Sequence, residues 1–98
     1  MKKHTQIYIK ALGYHEQDFM PCEVSGHIGI DVHHIISRGK LGEDRIENLM
    51  LLSRYRHIEL GDKANQMVFL LNTHRDFLAD NGVKFNNEWF NEKINFYD

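Results

Sequence analysis

The sequence contains one cysteine, one proline and no apolar run longer than the five residues Met67–Leu71. A lone cysteine excludes an intrachain disulfide, and it excludes a zinc site built only from thiolates of one chain. The apolar runs fall far short of the roughly 20 residues that cross a bilayer, so neither a transmembrane helix nor a membrane partner is expected. The segment Met1-Lys2-Lys3-His4-Thr5-Gln6 is basic but has no apolar stretch behind it, so no secretory leader is expected. The expected compartment is the reducing cytoplasm. An excess of positive charge is also missing. Twelve Lys and Arg against 14 Asp and Glu leave −2, which argues against gripping nucleic acid through a global positive field. Repeats, low-complexity tracts and Pro/Gly/Ser linkers are absent, and 98 residues suit a single domain.

What the chain does have is histidine, seven in all. Residues Thr5 to Leu12 read as a short helix, with Thr5 as N-cap and Gly13 as stop. Ile28 to Ile36 is β-branched and reads as a strand, and Asn48–Leu52 reads as a second, buried one. Between them Ser37 to Glu47 reads as a long loop, a length at which loops are often functional. Arg54 to Leu60 gives two helical turns. Asp62 is then expected to cap a helix whose apolar stripe includes Met67, Leu70, Leu71, His74, Phe77 and Leu78. Asn81-Gly82 stops that helix, and Asn87 to Tyr97 forms a terminal one. The fold class expected is α+β.

His33 and His34 are adjacent in the first strand, so the period of two sends them to opposite faces and to different tasks. One can hold a metal while the other stays free as a base near neutral pH. Asp31 shares the face of His33 and can steady an imidazole. His57 returns through the hairpin and the next helix to complete a metal site. Asn48 offers a side-chain carbonyl that can orient an imidazole N–H. By contrast, His74 reads as a histidine at the edge of the core. His4, His15 and His27 read as surface residues, and Cys22 as a small buried hydrophobe.

The order Asp31-Val32-His33-His34-Ile35, then Asn48-Leu49, then Arg56-His57 resembles the HNH endonuclease family. So do the segments Cys22-Glu23-Val24-Ser25-Gly26, Ile36 to Gly39 and Ile46-Glu47-Asn48-Leu49. The likeness covers residues 21–60 within a single domain of 1–98, with a helical part over 62–98 that is similar to small phage-type members. It implies a ββα-metal (His-Me finger) hairpin–helix core flanked by helices. It further implies DNA phosphodiester hydrolysis with His34 as general base and Asn48 holding the base or the loop. His33 and His57 would hold one divalent ion (Mg, Mn, Ni or Zn), with Asp31 supporting an imidazole. Many family members also carry two Cys-x-x-Cys pairs. Here the positions read Cys22-x-x-Ser25 and Ser53-x-x-Arg56, which argues against a structural zinc.

Between His33 and His57 five basic residues stand against three acidic ones, whereas residues 76–98 carry two basic and five acidic. Arg38, Lys40, Arg54 and Arg56 are thereby expected to touch a phosphate backbone. A homodimer would let such a domain cut both strands. The alternative expectation is a non-catalytic nucleic-acid-binding module on a former nuclease scaffold.

Overall fold

A two-stranded antiparallel hairpin forms the middle layer of the computed structural model, which describes residues 1–98. Strand β1 (Asp31–His34) pairs with β2 (Leu49–Leu52) so that Asp31 faces Leu52 and His34 faces Leu49. Helices α1 (Lys3–Leu12), α2 (Arg54–Leu60), α3 (Met67–Asp80) and α4 (Asn87–Tyr97) surround it. All four residues of β2 are buried, because both faces of the hairpin are covered. Leu49 and Leu51 pack with Tyr8 of α1, while Met50 and Leu52 join Leu70, Leu71 and Leu78 of α3 and Phe90 of α4. An antiparallel sheet usually leaves one face wet; here the unbroken Leu-Met-Leu-Leu run makes both faces apolar. The α+β class is as expected, and no helix is long and apolar enough to cross a membrane.

Several local expectations need correction. Helix α1 starts at Lys3 after Lys2, with no side-chain cap, so Thr5 lies inside it; Gly13 ends it with φ 72°. The first strand is shorter than Ile28 to Ile36. Pro21 bridges Ile28, and Ile36 N–H donates to a side chain rather than to β2. The connecting segment is not structureless, since it makes single 3₁₀ turns at Arg38–Lys40 and Ile46–Asn48. Gly42 allows its closure, because a Cβ there would run into the carbonyl of Ile36. Asp62 does not cap α3. It has φ 61° and is separated from the helix by a 3₁₀ turn at Ala64–Gln66. Ser53 caps α2 and Asn86 caps α4 through side-chain oxygens, each satisfying a free amide of the first turn.

One polar knot crosses the core. The side chains of Glu23 and His74 are both fully buried, with His74 Nδ1 2.7 Å from Glu23 Oε1. Tyr8 Oη donates to Glu23 Oε2 at 2.7 Å, and His74 Nε2 donates to the carbonyl of Ile46 at 2.6 Å. With Nε2–H committed to a carbonyl, Nδ1 and the carboxylate share the remaining proton. Burial, followed by the Glu23 carboxylate, pushes the Tyr8 phenol far up, so it stays a donor. His74 is therefore a central tie between α1, the hairpin and α3, not a histidine at the core's edge.

Glu47 makes a second tie. Its carboxylate accepts from Arg45 Nε at 2.8 Å and from the Asn86 amide at 2.8 Å, fastening the hairpin to the start of α4. Burial works to raise this carboxyl, but Arg45 and the Asn86 amide outweigh it and hold it below its ordinary 4.5. The stabilisation it brings is thus complete above that value and is lost as pH falls through the lowered one. Glu47→Gln is expected to flatten the acid limb of a urea-stability profile below about pH 4.5. A limb unchanged from the parent would rule this tie out as a source of acid sensitivity.

Candidate active site

The period of two along β1 does what the sequence predicts. His33, opposite Met50, turns towards α2, and its ring centroid lies 4.7 Å from that of His57. His34, opposite Leu49, turns towards α1, with its ring 4.7 Å from that of His4. Because the sheet has only two strands, the outer edge of β1 is free. A concavity of about 290 Å³ opens there, lined by His4, Val32, His33, His34, Ser37, Arg38, His57 and Asp62. Four of the seven histidines meet in this one place.

Each imidazole is set differently. His57 Nδ1 is 2.9 Å from Asp31 Oδ2, and a carboxylate can only accept, so Nδ1 carries a proton and Nε2 is the nitrogen that a metal could take. Burial works to raise the Asp31 carboxyl, but Arg54 and His57 together hold it below the ordinary range. His33 is only 5% exposed, and burial, then the neighbouring His57, pushes its pKa down to about 4. It is neutral at physiological pH. Its Nε2 is buried with no hydrogen-bond partner, a costly condition that a bound ion would relieve. His34 Nε2 is 2.7 Å from Asp44 Oδ1, while its Nδ1 has no partner in the chain. Asp44 also receives two bonds from Arg38 Nη2 at 3.1 Å. The His34 and Arg38 side chains hold the Asp44 carboxyl below its ordinary value.

Other expected site residues stand elsewhere. Asn48 is wholly buried, and its side chain makes no hydrogen bond to an imidazole. Its Oδ1 accepts from Ile36 N at 2.8 Å, and its Nδ2 donates to the carbonyls of Ile36 and Glu43 at 3.0 Å. It clamps both ends of the connecting loop, which corrects the expectation of a ring-orienting carbonyl and agrees with the loop-holding role. Among the cations only Arg38 lines the concavity. Arg54 pairs with Asp31 at 2.8 Å from the outside, and Arg56 pairs with Glu59 on α2. Lys40 lines a separate groove of about 490 Å³ beside Trp89 and Phe96 of α4. His4, expected at the surface, was missed because nothing in its own segment links it to a strand thirty residues away. Asp44 went unnoticed as one charge in a charged loop.

At Cys22 several backbone amides converge on the sulfur. The Ser25 amide donates to Cys22 Sγ at 3.5 Å, and backbone N–H groups of Ser53 and Val24 also face the sulfur. Burial raises the thiol pKa, but these donors outweigh it and draw the value down.

Comparison with known proteins adds nothing to this geometry. No family model, curated protein or solved structure matches the chain.

The residues present fit a single divalent ion. Two imidazoles stand side by side, one with an orphaned nitrogen and one oriented by a carboxylate, as metal-bound histidines are. Gly61 backs the pair: a Cβ there would stand 2.5 Å from the His57 carbonyl oxygen, 2.8 Å from His57 Cδ2 and 3.3 Å from His33 Cε1. No third His, Cys, Asp or Glu joins them at ligand spacing. Two protein ligands would leave the remaining positions to water and substrate, the open arrangement of catalytic centres. Imidazole nitrogen favours zinc, nickel or other transition ions over magnesium, which prefers oxygen. Gly61→Ala is expected to weaken metal binding about tenfold or more, by analogy with the loss of a ligand's support. Calorimetric titration with Zn²⁺ or Ni²⁺ measures this, and an unchanged Kd would show that the close approach does not matter.

Proposed function

We propose that the protein is a metal-dependent endonuclease of the HNH type that hydrolyses DNA phosphodiester bonds. The observation that carries this reading is the division of labour around one concavity. His34 has a free Nδ1 and a carboxylate behind Nε2, while His33 and His57 offer lone pairs on the adjoining face. A bound divalent ion would supply Lewis-acid polarisation of the phosphate and stabilise the charge on the departing oxygen.

The chain's own residues do the rest. Asp44 holds the His34 ring through Nε2 and leaves Nδ1 unpaired to take a proton from water; the resulting imidazolium would be stabilised by the carboxylate at 2.7 Å. Arg38, anchored by Asp44 yet 60% exposed, can turn its free guanidinium nitrogens to a phosphate oxygen. Asp31 fixes the His57 tautomer, and Asn48 fixes the loop that carries Asp44. Conversion of supercoiled plasmid to open circles, with each of Mg²⁺, Mn²⁺, Ni²⁺ and Zn²⁺, tests the proposal. Nicking that requires a metal and His34 supports it. Duplex binding in EDTA without nicking in any metal would instead assign the non-catalytic module.

The cytoplasm, a phage-type origin and a homodimer able to cut both strands remain part of the same reading.

A further inference from the structure

The buried side-chain nitrogen and oxygen atoms without a hydrogen-bond partner are two, and both are histidine nitrogens at the same concavity. A bound metal would account for His33 Nε2. His4 Nδ1 is enclosed and stays unpartnered, so a ligand in the concavity can reach only the other nitrogen of that ring. The His4 ring rests against that of His34, and its Nε2, which is not buried, makes no hydrogen bond in the chain either. A histidine held half-buried against another histidine gains little for the fold, since its polar atoms are partly stripped of water and receive nothing in return. Two carboxylates stand nearby, Asp62 in the lining and Asp44 behind His34, but Asp44 is already paired with His34 and Arg38, and the side nearest His4 is positive. His4 lies in the first turn of α1, the positive end of that helix, which follows Lys2 and contains no acidic residue. Arg38 lines the same concavity.

We propose that His4 is a substrate-contacting residue of this site, donating from Nε2–H to a non-bridging oxygen of the phosphate while its ring face braces His34. The inference rests on the phosphodiester reading of the concavity. It gives α1, which lies outside the hairpin–helix core, a part in the chemistry. It also places three kinds of nitrogen donor or ligand around one phosphate: the His33/His57 pair, Arg38 and His4.

Three variants separate hydrogen bonding from packing. His4→Phe keeps a ring against His34 and loses both nitrogens, His4→Gln keeps an N–H donor and loses the ring, and His4→Ala loses both. Nicking kinetics are measured with the metal that best supports the parent, and affinity for a short fluorescein-labelled duplex is measured in EDTA. Loss of a bond to a charged group predicts about a tenfold or larger fall in kcat/KM for His4→Phe. The same variant is expected to bind the duplex about threefold or more weakly, with its melting temperature unchanged, and His4→Gln to recover most of both losses. The reverse order, with Phe as good as the parent and Gln as poor as Ala, would overturn the proposal and leave His4 as packing. If the parent nicks with no metal, the nuclease reading fails, and duplex binding alone judges His4. Equal affinities of parent and His4→Phe would then overturn it.

Discussion

Alanine in place of His34 is expected to slow plasmid nicking by about 10²- to 10⁴-fold, the usual worth of a positioned general base. The fold should survive, because His34 is at the rim and its Asp44 partner keeps Arg38. The comparison that gives this number its meaning is Asp31→Asn. That change leaves the base untouched but removes the anion that orients His57, so it should weaken metal binding about 10- to 100-fold. Saturating metal should rescue Asp31→Asn and leave His34→Ala impaired. Equal rates for His34→Ala and the parent would end the case for His34 as the base. Rescue of both by metal would move the role of His34 to metal binding.

The largest expected effect on stability comes from the core knot. His74→Ala strands the Glu23 carboxylate in a place without water, and breaking a buried pair on one side typically costs about 3–5 kcal/mol. Against the roughly 5–15 kcal/mol of a whole domain this is a large share. For a chain this size it corresponds to a fall of about 12–40 °C in melting temperature. Replacing both members, as in Glu23→Leu/His74→Leu with Tyr8→Phe, should cost less than the single change, since no charge is left alone. Urea unfolding followed by the fluorescence of Trp89, which is buried against Phe90, measures both. A single variant within 1 kcal/mol of the parent (by the ordinary precision of such extrapolations) would show that water reaches Glu23 after all.

The sequence displayed the places of its two strands but not their bounds, its helix ends at Gly13 and Leu60, and the opposite faces of His33 and His34. Those features follow from short-range periods and from single residues that stop a helix. The contacts that define the site's electrostatics were not readable, because each joins distant segments: His4 to His34, Asp44 to His34 across a loop, and Glu23 to His74 across half the chain. His74 looked like an edge residue because a helical stripe shows which side is apolar and not how deep it goes. Asn48 had its importance visible and its partners hidden. An amide side chain at the start of a strand can turn towards a ring or a backbone, and only the folded loop shows that it takes Ile36 and Glu43.

The clamp at Asn48 has a consequence for chemical identity. His33 and His34 are the same amino acid on neighbouring positions, and nothing intrinsic to either assigns it to one face or the other. If β1 slid by one residue along β2, His34 would take the face beside His57, and His33 would lose it. Asn48 holds Ile36 by both its N–H and its carbonyl, two residues beyond His34, and so forbids that slide. A side chain with no hydrogen bond to either imidazole thereby decides which face each one takes.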